Sequence, residues 1–278
     1  MASRQGLEIR DKEGASRHPV APRHHDGDSV SETGTHSEIV VASYNVHKCV
    51  GLDRRFDPVR TMQVISEIDA DVIALQEADQ RFGDRAGLLD LAAVERETGL
   101  IPVPLAGRLK SHGWHGNVVL FRKGSVASAK QLVLPGAEPR GAVIVDLELE
   151  AGPLRVIAAH FGLLRHSRKL QAGTLLTAAE LHSDKPTVLV GDLNEWRLGK
   201  RSSLRSLEPA FGPAHAIVPS FPSRFPVLAL DRVMVRPHNL LTDVQAHDTA
   251  LARIASDHLP IRAVIRLSGK RGGMAAAA

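Results

Sequence analysis

The stretch Thr187–Trp196, TVLVGDLNEW, runs four strand-forming residues directly into Gly191, Asp192 and Asn194. A short apolar run closed by glycine reads as a buried strand. Gly-Asp-x-Asn is also ordinary turn chemistry, so the polar pair has a structural explanation on its own. The pattern nevertheless recurs along the chain. IVVASYN (39–45) ends at Asn45, DVIALQE (71–77) at Glu77, and LRVIAAH (154–160) at His160. LALD (228–231) delivers Asp231 ahead of another apolar run, and SDHLP (256–260) sets Asp257 and His258 before the last one. In a layered α/β protein strand ends are rigid, and side chains from several strands converge at one end of the sheet.

Between these runs the periodicity changes. Residues 57–68 place Val59, Met62 and Ile65 at helical spacing with Pro58 in the first turn, and further helices are predicted near 88–98 and 168–182. Other strands are predicted at 117–122, 142–149, 154–160, 230–235 and 259–265, the second and third forming a hairpin through Gly152-Pro153. This alternation predicts an α/β domain with mixed rather than purely parallel sheet. The chain has no GxxxxGK[ST] and no strand-borne GxGxxG, so a phosphate-cradling glycine loop is not its source of function.

The 278 residues, 43% of them hydrophobic, can bury a full core. The single cysteine, Cys49, excludes an intrachain disulfide framework and fits a reducing compartment. No apolar run approaches a membrane span of about 18 residues, and the N-terminus lacks the apolar stretch of a signal peptide, so a cytoplasmic location is expected. Residues 1–37 are rich in Gly, Ser, His and charge and read as a disordered leader. Residues 38–268 form the folded domain, and 269–278 a flexible small-residue tail. Residues 1–38 carry five Lys/Arg and seven Asp/Glu, so the net +4 of the chain leaves +6 on the remainder. A basic body is compatible with a phosphorylated or polyanionic substrate, and equally with plain solubility.

Carboxylates and amide oxygens without cysteine suit a hard cation, Mg²⁺ or Mn²⁺, rather than zinc. Together SYNVH (43–47), LQE (75–77), the strand end at His160, GDLN (191–194), LDRV (230–233) and SDHLP (256–260) resemble, in kind and in order, the endonuclease/exonuclease/phosphatase superfamily with its deoxyribonuclease I-like fold. That resemblance covers roughly residues 39–267. It implies a four-layer α/β sandwich, two packed mixed β-sheets flanked by helices, with the site at one end.

The resemblance also implies roles. Glu77 is the principal metal ligand, with Asn45 beside it and Asp257 as a second metal-side ligand. Asp192 orients or deprotonates the attacking water, and Asn194 holds a phosphate oxygen. His258 is the catalytic histidine, with Asp231 fixing its tautomer. His160 is similar to the second histidine of the deoxyribonuclease and phospholipid-cleaving branches. Asn117, Arg140 and Arg165, the last in a basic cluster with His166, Arg168 and Lys169, are candidates for substrate phosphate, although charge clusters are more often solvated faces.

The implied activity is divalent-metal-dependent phosphoester hydrolysis by in-line water attack. Nucleic acid ranks first as substrate and phospholipid second, with inositol phosphates and a catalytically dead nucleic-acid-binding module as alternatives. Aromatic residues total 4%, which gives few platforms for single-stranded bases. The proline-rich loop 215–231 reads as a packed connection, with Phe221 and Phe225 near the site. No obligate protein partner is evident.

Overall fold

Strand parity decides this architecture. In the computed structural model, which describes residues 36–81, 83–106, 110–179, 185–212 and 217–268, β1 (His36–Asn45) turns Val41 to one core and Ala42 and Tyr44 to another. β2 (Val72–Gln76) likewise divides Val72 and Ala74 from Ile73 and Leu75. A strand buried on both faces needs a continuous apolar run, and these runs supply it.

Two mixed sheets result. β3 (Ile101–Pro102), β4 (Val118–Phe121), β10 (Leu241–Ala246) and β11 (Ile261–Ser268) join β1 and β2 in the order β10-β11-β1-β2-β4-β3. The second sheet has the order β5-β6-β7-β8-β9, from β5 (Gly124–Leu134), β6 (Arg140–Leu149), β7 (Gly152–His160), β8 (Thr187–Asp192) and β9 (Asp231–Arg236). β1 runs parallel to β2, and β7 parallel to β8; the other pairings are antiparallel, including the expected β6–β7 hairpin. Valines of both sheets, such as Val41, Val145, Val156 and Val190, interdigitate between them. Outside the first sheet pack α1 (Pro58–Ile68), α2 (Leu91–Thr98) and the short α5 (Ala252–Ala255). Outside the second pack α3 (Arg165–Ala179) and α4 (Glu208–Phe211). This is the four-layer sandwich.

Three strands were not predicted. β5 and β10 lie at sheet edges and are largely exposed, so neighbouring backbone rather than apolar alternation holds them. β3 has only two residues. Helix α3 starts three residues earlier than predicted, and its expected end at His182 lies outside the described residues, as do residues 1–35 of the leader and the tail. The buried stripe of α1 is Thr61, Val64, Ile65 and Ile68, whereas Val59 is exposed. Among the described residues no helix is long and apolar enough to cross a membrane.

Asp57 starts α1. Its carboxylate accepts from the Arg60 backbone N–H at 2.9 Å, Pro58 occupies the first turn, and Asp69 in the left-handed region ends the helix. Asp57→Ala should therefore destabilise the fold by about 1 kcal/mol. Urea denaturation reads this as a lower midpoint at unchanged slope.

Candidate active site

The same parity that fills the inter-sheet core with valine places polar residues at one end of it. Counting by two from Val41 leads to Asn45, from Val156 to His160, from Val188 to Asp192, and back from Val235 to Asp231. His160 and Asp192 are register partners, as are Asp192 and Asp231. Four polar groups from two sheets thus meet where the apolar layer stops, and all four are buried.

Asp192 is the centre. One of its oxygens accepts from Asn45 Nδ2 at 3.1 Å, and the other from the Asn194 backbone N–H at 3.0 Å. His160 Nε2 lies 3.5 Å and His258 Nε2 3.8 Å from Oδ2. Burial raises the Asp192 carboxyl above the usual range, against the pull of the His258 charge. Asn194, in the left-handed region at φ 51°, donates its amide to the Phe161 carbonyl at 3.0 Å and faces Asp192 at 3.4 Å.

His258 donates from Nδ1 to Asp231 Oδ2 at 2.8 Å, and the same oxygen accepts from Ser220 Oγ at 2.5 Å. Burial alone would lower the imidazole; the carboxylates of Asp231 and Asp192 outweigh it and raise it to about 10. Phe221 packs on the ring with centroids 4.9 Å apart, whereas Phe225 on the same loop is exposed.

Glu77 follows β2 in the left-handed region at φ 55°, where the two-residue alternation of the strand ends. It contributes to a cavity of about 30 Å³ shared with Lys48, Asp79, Arg140 and His160. Lys48 Nζ donates to Glu77 Oε2 at 2.6 Å. Burial pushes the Glu77 carboxyl up, but the Lys48 ammonium hydrogen-bonded to it and the nearby Arg140 charge outweigh this and hold it well below the usual carboxylate range. Arg140 is aimed by a fork onto Glu138 at 2.7 and 3.0 Å, and its Nη1 lies 2.7 and 2.9 Å from the two ring nitrogens of His160. Guanidinium only donates, so the imidazole meets it through a lone pair. Burial first and the Arg140 charge second keep His160 well below its ordinary pKa, and thus neutral.

The remaining candidates are placed differently. Asp257 stands partly exposed, 3.9 Å from His47 Nδ1, while the His47 backbone N–H donates to Asn45 Oδ1 at 3.0 Å. Asn117 is buried and donates to the carbonyls of Trp114 and Gly141 at 3.1 and 3.0 Å, tying the β4 entry to β6. Arg165 is exposed at the first residue of α3. Its neighbour Arg168, read above as part of a solvated basic cluster, is instead buried against Glu195 at 3.3 Å. Ser220, Glu138 and Lys48 were not singled out from the sequence. Ser220 and Glu138 lie in loops and Lys48 in the 3-10 turn His47–Cys49, where no periodicity marks which way a side chain turns.

Asp192, Asp231 and His258 bring one potential ligand atom each within 4.8 Å of one another and could hold a metal ion. Asp231 Oδ2 and His258 Nδ1 are engaged with each other, which leaves Asp231 Oδ1, without a hydrogen-bond partner, and His258 Nε2. Glu77, Asn45 and Asp257 carry oxygen donors of the kind a hard cation takes, with Glu77 Oε2 on Lys48 Nζ and Asn45 Oδ1 on the His47 backbone N–H.

A model of the Endonuclease/Exonuclease/phosphatase family matches residues 42–258, and the chain belongs to that family, whose members are generally phosphoester hydrolases that use divalent metals. The Escherichia coli (strain K12) protein YbhP is 27% identical over 253 residues, 82% of this chain and 96% of that one. Among solved structures, an endonuclease/exonuclease/phosphatase from Beutenbergia cavernae matches with TM-score 0.63 at 21% identity, covering 84% of this chain and 72% of that one. The mannosyl-6-phosphatase Bt3783 of Bacteroides thetaiotaomicron matches with TM-score 0.60 at 16% identity, covering 82% and 99%.

Proposed function

We propose that the protein is a divalent-metal-dependent phosphodiester hydrolase in which Asp192 activates water for in-line attack. The observation that carries this reading is the setting of Asp192: a buried carboxylate, raised toward neutrality, held by Asn45 and Asn194 between two imidazoles. A general base works best when its pKa lies near the operating pH. His258, kept protonated by Asp231, donates to a non-bridging phosphoryl oxygen as charge develops there. Neutral His160, oriented by Arg140, supplies a second contact to the same group. Asn194 positions Asp192 through its backbone N–H. Glu77, with Asn45 and Asp257, would hold Mg²⁺ or Mn²⁺, which supplies positive charge at the phosphoryl oxygens.

Hydrolysis of bis-p-nitrophenyl phosphate should require added Mg²⁺ or Mn²⁺, and Glu77→Gln should raise the concentration needed for half-maximal rate. Full turnover in EDTA would overturn the metal requirement. A panel of plasmid DNA, RNA, sphingomyelin and inositol phosphates ranks substrates; turnover of phosphomonoesters alone would remove the diester assignment.

A further inference from the structure

We infer that the loops leaving β7 and β8 form a docking surface for a membrane carrying anionic lipid headgroups. Leu163 and Leu164 follow directly on His160 and Phe161-Gly162, and are 64% and 55% exposed. Trp196 and Leu198 follow on Asn194 and are 44% and 52% exposed. Interleaved with them stand the exposed cations Arg165, Lys169, Lys200 and Arg201. Residues 161–170 and 196–206 contain no acidic residue at all. Soluble proteins scatter their exposed large apolar side chains singly, so four on two adjoining loops need an explanation.

The two loops are built as one surface. Arg168, 1% exposed, donates to the Leu163 carbonyl at 2.5 Å and to Ser203 Oγ at 3.0 Å, and pairs with Glu195 at 3.3 Å. Ser203 in turn donates its backbone N–H to Glu195 at 2.8 Å. A buried ion pair is a costly way to gain stability, and its attested use is to fix geometry. Here it holds the 163–164 and 196–203 segments together. Arg168 lies 5.8 Å and Arg197 4.5 Å from the Trp196 ring centroid, so two guanidinium groups steady the half-exposed indole.

Leucine beside tryptophan beside lysine and arginine is the chemistry of a bilayer interface. Leucine reaches the acyl boundary, the indole sits at headgroup level, and each cation is drawn to an anionic surface. A nucleic acid would engage the tryptophan and the cations but would leave three leucines with nothing apolar to cover them. Both loops spring from strand ends that carry His160 and Asp192, so docking would turn that end of the sandwich toward lipid phosphodiesters. That last step rests on the proposed hydrolase reading; the docking itself does not.

The test is co-sedimentation of the full chain with vesicles of phosphatidylcholine, with and without phosphatidylglycerol, alongside tryptophan emission. Anionic vesicles should pull down the protein and shift emission to the blue, with weaker binding at high salt. Leu163→Ser/Leu164→Ser/Trp196→Ala should lose about tenfold or more in partitioning, while its thermal midpoint and its turnover of a soluble chromogenic diester stay as in the parent. Lys200→Glu/Arg201→Glu should weaken binding to anionic vesicles with the apolar side chains intact. Failure to sediment with anionic vesicles, or equal sedimentation of the triple variant, overturns docking. An emission shift with duplex DNA or RNA but not with vesicles makes the surface a nucleic-acid interface instead. Sedimentation needs no turnover, so a protein that docks but hydrolyses nothing would sink the hydrolase reading and leave this one standing.

Discussion

Exchanging Asp192 for Asn lowers metal-supported hydrolysis of bis-p-nitrophenyl phosphate by about three powers of ten, within the range for loss of a positioned base. The substitution keeps the heavy atoms in place and removes the ability to take a proton. It also creates a mismatch. Both carboxylate oxygens now accept N–H groups, one from the Asn194 backbone and the other from Asn45. An amide offers one acceptor and one NH₂, so one of these donors would face another donor, at a cost of about 1–3 kcal/mol in a buried site. A lowered thermal midpoint with intact folding is therefore expected beside the loss of rate. Saturating Mg²⁺ or Mn²⁺ and excess substrate separate a lost base from weakened binding, because a missing base lowers kcat and kcat/KM together. A variant within tenfold of the parent at saturation would remove Asp192 from the role of base.

The strand-borne part of this site was legible from periodicity alone, whereas Glu77, Asn194, Asp257 and His258, which lie just off the strands, were legible only through the family motifs. Once 154–160, 187–192 and 231–236 are strands buried on both faces, period two places His160, Asp192 and Asp231 on the face shared with Val156, Val190 and Val235. Arg168 was legible in principle. It shares a helical stripe with Ala172, Leu175 and Ala179, all buried, and the adjacent Arg165, His166 and Lys169 concealed that spacing. Ser220 beneath Asp231 and Glu138 behind Arg140 were not legible, because they approach from loops whose course depends on tertiary contacts. The edge strands β5 and β10 were missed for another reason: hydrogen bonding to an existing sheet edge makes a strand without any apolar alternation.

Asp231 and His258 should behave as one unit. Asp231→Asn and His258→Ala are each expected to cost two or more powers of ten in rate, roughly what a disrupted acid/base pair loses. The geometry gives the reason. Asp231 Oδ2 is committed to His258 Nδ1 at 2.8 Å and to Ser220 at 2.5 Å, both in a buried setting where an uncompensated charge is expensive. Asparagine keeps a hydrogen-bond acceptor there but withdraws the negative charge that, with Asp192, holds the imidazolium at about 10 against burial. His258 acts as a protonated donor, so activity falls as pH rises through its pKa. Without the Asp231 charge that pKa drops, and the alkaline limb of the pH–rate profile should move to lower pH in Asp231→Asn. A purely structural role for Asp231 would lower the rate without moving the limb. If Asp231 works only through His258, the double variant should be scarcely slower than either single one, since groups acting together are strongly non-additive. Losses that multiply in the double variant, or an alkaline limb that stays in place, would mean that the carboxylate acts elsewhere and that His258 holds its proton without it.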